Sequence, residues 1–409
     1  MPGLNVRRNT LLLAATFAVN SCLFQLAAAV SALTFVLVTG VEGLLGLGPA
    51  IFLASSGVAA LPAGRAMDRF GRRPVLAGGF VLSSLGAALI ALSTRTESSF
   101  AIGVGLVLMG AGGGIALLSR TAAGDMYPPE RRARGISYVL FGSVFGAILG
   151  PAVFSPLFAG RHVELDALTI PWLVASGLGL VALTLVLFVR PDPKRIAELI
   201  GAADAPANPV PAAPLSQILR RPGVIPALLA ALASFAVMVS VMNLAGYVIV
   251  EHHHHQQADV FPVIGAHVLG MFGLVLFVGS LVDRIGRPLS LWSGLVVMAV
   301  SCIGLQWFES VVGSSVLLFG LGLGWSVSFV AATAMLADSA LPSERGKLLG
   351  FSDQVSSLLG AGLALLGGYA LDTLGVAALA IGSTVIVLLP LARLLRRSPE
   401  VGTIAARRT

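Results

Sequence analysis

Gly64-Arg65-Ala66-Met67-Asp68-Arg69-Phe70-Gly71-Arg72-Arg73 has a second copy in the same chain, Gly279-Ser280-Leu281-Val282-Asp283-Arg284-Ile285-Gly286-Arg287. Glycine, aspartate and arginine recur at matched positions with one offset of 215 residues, from Gly64 to Gly279. A looser pair follows: Asp125 ahead of Pro128-Pro-Glu-Arg-Arg-Ala-Arg-Gly135, and Asp338 ahead of Leu341-Pro-Ser-Glu-Arg-Gly346. A charged, glycine-bearing turn that returns after half a chain length marks two similar halves.

Both copies are islands of charge between apolar runs. The 409 residues are 56% hydrophobic and 11% charged, with a mean hydropathy of +0.92. A soluble domain carries roughly 25% charged residues. Runs of about 20 apolar residues cross a ~30 Å hydrocarbon core. They lie at about 10–38, 44–64, 74–93, 99–121, 135–158, 168–190, 223–250, 259–281, 288–308, 312–336, 347–371 and 375–394. The 48 glycines suit the close helix packing of such proteins. The expected fold is an all-α membrane protein with twelve transmembrane helices in two six-helix bundles, residues 1–190 and 223–409. Residues 191–222, rich in Pro and Ala, read as a cytoplasmic linker with one short surface helix around 194–200.

Positive charge falls on one side of this layout. Arg7, Arg8, Arg73, Arg131, Arg132, Arg134, Lys194, Arg195, Arg220, Arg221, Arg345, Lys347 and Arg396 flank it, whereas the opposite loops hold Arg95 and Arg161. Cytoplasmic loops collect Lys and Arg, so both termini are expected in the cytoplasm. The net charge of +7 then reports topology, not nucleic-acid binding. Arg7, Arg8 and the alanines at 27–29 imitate a cleaved signal peptide. The apolar run continues past them, so it reads as the first span. Cys22 and Cys302 fall in different spans, and no disulfide framework is expected. The sequence holds no Gly-x-x-x-x-Gly-Lys phosphate loop, and neither an ATPase nor a hydrolase is expected.

Two six-span halves carrying G-x-x-x-D-R-x-G-R twice resemble the major facilitator superfamily over nearly the whole chain. The resemblance implies a secondary transporter working by alternating access. It also implies that Gly64, Asp68, Arg69, Gly71 and Arg72, with Gly279, Asp283, Arg284, Gly286 and Arg287, form gating turns. Asp125, beside Arg72 or Arg132, would join the same gate. The competing possibility is that these charges only set topology and loop shape.

Substrate choice rests on two other pairs. Met238 and Met242 lie in the seventh run, His267 and Met271 in the eighth. Each pair is spaced to share one helix face. Thioether and imidazole are soft donors that suit Cu(I), and an ionisable residue within a span is a functional candidate. Random placement of the methionines and histidines gives roughly 0.2 and 0.13 such pairs, so both together are informative. In the bland alternative, the methionines fill core gaps and His267 bonds a carbonyl. M-x-x-x-M in the seventh helix and H-x-x-x-M in the eighth resemble the CcoA-type bacterial copper importers. That resemblance implies copper import across the inner membrane for haem–copper cytochrome oxidase assembly, with Met238, Met242, His267 and Met271 as metal ligands.

Further expectations surround this site. Glu251, His252, His253, His254 and His255 would capture copper at the extracytoplasmic mouth, or form a plain polar loop. Cys22 would relay the metal, or simply pack. Arg120, paired with Asp125, and Asp353 are candidates for proton coupling. The expected partners are a copper ion as cargo, membrane lipid and a cytoplasmic copper acceptor, with no resident cofactor, no nucleic acid and a monomeric state. The alternative function is a proton-coupled exporter of drugs or other organic solutes. It draws on Gly146-Ala-Ile-Leu-Gly150-Pro151, a partial antiporter motif with Phe154 in place of its last glycine.

Overall fold

In a computed structural model, residues 5–40, 47–158, 165–201, 212–247 and 260–395 are described. Every regular element among them is helical. Without water to satisfy the backbone, a chain of this hydropathy closes its hydrogen bonds within helices. The helices are α1 (Val6–Thr39), α2 (Leu47–Phe70), α3 (Arg72–Thr96), α4 (Ser99–Leu117), α5 (Ser119–Asp125), α6 (Arg132–Leu140), α7 (Gly142–Phe158) and α8 (Leu165–Leu187). They continue as α9 (Pro193–Gly201), α10 (Leu215–Ile218), α11 (Val224–Tyr247), α12 (Val260–Val268), α13 (Val275–Ile285), α14 (Arg287–Gly304), α15 (Val311–Asp338) and α16 (Arg345–Leu395).

Nine helical stretches among the described residues are long and apolar enough to cross a membrane. A tenth is a pair bent by 45°, Val263–Gly273 with Val275–Ile285. The 51 residues of α16 contain Gly375, whose φ of 79° and ψ of −176° are not helical, so two helices, the eleventh and twelfth runs, meet there.

Several expected spans are interrupted. The fourth breaks at Leu118, which separates α4 from α5. The fifth has a joint at Phe141, between α6 and α7. The eighth contains a π-helical turn, Leu269–Gly273. Such turns recur at functional sites. The surface helix expected around 194–200 is α9.

The chain forms two compact units. The first comprises Met1–Ile218 with Ala340–Leu358, and the second Leu219–Ser339 with Leu359–Thr409. In the first unit α3 and α4 meet through glycines: a Cβ at Gly86 would stand 2.6 Å from the Gly105 carbonyl, and one at Gly105 would stand 2.9 Å from that of Gly86. In the second, Gly294 and Gly324 would each place a Cβ 2.7 Å from the other's carbonyl oxygen. Small residues let membrane helices approach this closely.

Candidate functional site

The first copy of the repeat sits at the α2–α3 turn. Gly71, with φ 101° and ψ 168°, occupies a region that only glycine enters freely, and this sharp turn brings Asp68 and Arg72 together. Arg72 is fully buried and donates through Nε to Asp125 Oδ2 at 2.7 Å and through Nη1 to Asp68 at 3.2 Å. Its Nη2 donates to the Pro342 carbonyl at 2.7 Å. The other oxygen of Asp125 receives Arg345 Nη1 at 2.8 Å. Asp68 also accepts the backbone N–H groups of Gly346 (2.9 Å) and Lys347 (2.7 Å). These belong to the first turn of α16, so a carboxylate caps a helix N-terminus, where negative charge is favoured. Gly64 makes room for this contact: α2 crosses α16 there against Gly346 and Gly350.

The linker is tied into the same network. Asp192 accepts the N–H groups of Arg72 (3.1 Å) and Arg73 (2.9 Å) at the start of α3. Lys194 donates to the Asp68 carbonyl at 2.6 Å. At the other end Glu344 accepts from the N–H groups of Ala213 (2.8 Å) and Leu341 (3.1 Å).

The second copy repeats three of these contacts within its own unit. Arg287 pairs with Asp283 at 2.9 Å and Asp338 at 3.2 Å. Gly286 has φ 91°, and Arg287 reaches the Val282 carbonyl as Arg72 reaches that of Met67. The first network is the more buried: the Asp125 side chain is 1% exposed and that of Asp338 29%.

In the second unit His267 lies in the last turn of α12 and Met271 in the π-helical turn. His267 is completely buried and Met271 7% exposed. His267 Nδ1 lies 2.8 Å from the Leu318 carbonyl on α15. A carbonyl only accepts, so Nδ1 carries the proton and Nε2 carries the free lone pair. Nε2 is buried and bonds to nothing among the described residues. A ligating histidine is normally fixed in this way, one nitrogen donating to a carbonyl and the other left for metal. The carbonyl bond of the bland alternative is therefore present, but it uses one ring nitrogen and leaves the other available.

Two glycines make this possible. A Cβ at Gly322 would stand 2.9 Å from Met271 N and 3.2 Å from Met271 Cγ, and one at Gly270 would lie 3.0 Å from the Phe319 carbonyl carbon. The helices α12 and α15 thus touch backbone to backbone at the histidine. On α11, which contacts both α12 and α15, Met238 is buried and Met242 half-buried. Aromatic rings flank the site. Trp325 packs edge-on to Phe272 at 5.9 Å and stacks on Phe329 at 4.7 Å. Neither Leu318, Gly322 nor this aromatic group is singled out by sequence reasoning. The closely spaced glycines Gly320, Gly322 and Gly324 are the signal that points to them.

Arg120, expected beside Asp125, has Asp353 as a partner. Arg120 Nη2 pairs with Asp353 Oδ1 and its Nη1 donates to the Leu117 carbonyl at 2.9 Å. Asp125 is engaged by Arg72 and Arg345, which stand on either side of it. Cys22 is buried in α1 as a free thiol near Gly146 of α7. Glu251 and His252, His253, His254 and His255 lie outside the described residues.

Duplicated helical halves with a charged glycine turn in each define a multi-pass membrane transporter rather than an enzyme. The sequence profile of the Major Facilitator Superfamily matches residues 12–365, and the chain belongs to that family. It is 31% identical over 335 residues to the uncharacterized MFS-type transporter YdeG of Bacillus subtilis (strain 168), covering 80% of this chain and 77% of that one. It is 32% identical over 300 residues to the riboflavin transporter RfnT of Brucella anthropi, covering 72% and 71%. Its fold resembles that of the proton:xylose symporter XylE, with a TM-score of 0.76, 15% identity and 96% of each chain covered.

Proposed function

We propose that this transporter imports copper, as Cu(I), across the bacterial inner membrane, with both termini in the cytoplasm. The carrying observation is His267: its Nδ1–H is fixed by Leu318 while Nε2 is buried with no bond among the described residues. A buried acceptor with no partner costs about 1–3 kcal/mol, a cost that a bound soft cation removes. Met238 and Met242 on α11 add two further thioethers in the same unit. Two to four soft ligands suit Cu(I) and select against magnesium and calcium, which take oxygen. Rocking of the halves, gated at Asp68 and Asp283, would release the metal inward to an acceptor that builds haem–copper oxidase.

A second reading, transport of a flat organic solute, is favoured by the similarity to a riboflavin transporter and by the Phe272, Trp325 and Phe329 rings. One experiment separates the two. Radiolabelled copper uptake is measured in cells lacking their own importer, with wild type and Met271→Leu at matched membrane levels. Uptake by the wild type that falls at least tenfold in Met271→Leu supports copper. No uptake in either overturns it and moves the search to conjugated ring compounds.

A further inference from the structure

Among the described residues of the second unit, three buried side-chain polar atoms have no hydrogen-bond partner: His267 Nε2, Trp325 Nε1 and Ser326 Oγ. All three belong to the contact of α12 and the π-helical turn with α15. On α15, Leu318, Gly322 and Ser326 follow at four-residue intervals with Trp325 next to them, so the four share a face. The Leu318 carbonyl holds His267, Gly322 lies against Met271, and Trp325 meets Phe272. Buried polar groups are normally bonded, and three bare ones along a single contact mark the place of a ligand.

The three atoms call for different partners. Nε2 offers a lone pair and takes a cation. The indole Nε1–H only donates, so it repels a cation and takes an acceptor. The Ser326 hydroxyl is able to donate beside it. A bare metal ion therefore satisfies one atom of the three, whereas a cation joined to a hydrogen-bond acceptor satisfies all of them.

Charge leads to the same ligand. His267, with its proton on Nδ1, is neutral, and so are the thioethers. The helices α11 and α12 and the π-helical turn contain no Asp, Glu, Lys or Arg. On α15 the one acidic residue is Asp338, about 24 Å along the helix from Gly322, where it pairs with Arg287. Cu(I) on these neutral donors would be a buried charge without a counter-charge, which is strongly unfavourable within a membrane span. An anion carried on the metal removes the net charge and supplies the missing acceptor.

We propose that the cargo is bound as a neutral pair, Cu(I) with one halide, and that Trp325 Nε1–H and the Ser326 hydroxyl receive the halide. Copper arrives carrying two halides. His267 Nε2 displaces one, which returns to solvent, and the other stays on the metal and accepts from the indole. The metal remains Cu(I) throughout, so no electron is transferred. The pair rests on the copper reading above and deepens it, with Trp325 as a residue that sets specificity.

The test looks for the halide on the metal. Purified protein is loaded with Cu(I) under ascorbate in a bromide buffer, and X-ray absorption is recorded at the copper edge, where bromine is readily told from methionine sulfur. Wild type should show a bromine neighbour beside nitrogen and sulfur. Trp325→Phe keeps a ring for the stack but lacks the N–H, and should lose most of the bromine signal; Ser326→Ala, the milder change, should lower it in part. In liposomes, chloride in place of gluconate should speed wild-type uptake of radiolabelled Cu(I) severalfold, whereas a carrier of the bare ion would be slowed as chloride sequesters it. Copper bound without bromine, an undiminished bromine signal in both variants, or uptake slowed by chloride overturns the pair and leaves the copper reading standing. A wild type that binds no copper overturns both.

Discussion

Asp125 shows how much one side chain carries. Two guanidinium groups, from Arg72 and Arg345, share its carboxylate in a site with 1% exposure. Breaking a buried pair leaves an uncompensated charge at a cost of about 3–5 kcal/mol, and here two cations would be left. Asp125→Asn should lower the melting temperature in detergent markedly, whereas Arg8→Gln, at an exposed position, should leave it nearly unchanged. Gly322 carries a different weight. Gly322→Ala drives a methyl group against Met271 N and Cγ, so copper uptake should fall severalfold while the far-ultraviolet helix signal persists. The motif positions were readable from sequence because aspartate, arginine and glycine stand out against an apolar background. Arg345 was not readable as a partner of Asp125: 220 residues separate them, and only folding brings the start of α16 onto α5.

At the scale of elements, the informative features are the interruptions. An apolar run looks the same whether it is drawn as an α-helix or includes a π turn, so Leu269–Gly273 left no mark in the hydropathy pattern. The extra residue of that turn sets the relation of Met271 to His267. Deleting Leu269 should convert the turn to regular α-helix, abolish copper uptake and leave thermal stability equal or higher. The break at Leu118 was equally hidden, yet it frees the Leu117 carbonyl that Arg120 uses. The α2–α3 turn was legible, since glycine beside a charged pair signals a tight reversal. Gly71→Ala would force a side chain into a backbone region that costs about 1–3 kcal/mol and set its Cβ 2.8 Å from Asp192 Oδ2. A melting-temperature loss of several degrees is the expected result.

At the scale of the whole molecule, the positive-inside pattern makes a direct forecast. In intact cells Arg95→Cys should react with a membrane-impermeant thiol reagent and Arg8→Cys should not, in a background lacking Cys22 and Cys302. The reverse outcome would invert the topology and with it the direction of transport. Overall architecture was legible from composition and the twofold motif, because membrane spans and repeats are properties of long stretches. The candidate donor site was legible only as a spacing, since the carbonyl that orients His267 comes from an unremarkable leucine. The mirrored networks Asp68–Arg72–Asp125 and Asp283–Arg287–Asp338 are the structural form of the internal repeat. Shifted back by the same 215 residues, the four donors fall on Leu23, Ala27, Phe52 and Ser56, with neither thioether nor imidazole among them. The two halves share one charged turn and its ion pairs, whereas the proposed donor positions are found in one half alone.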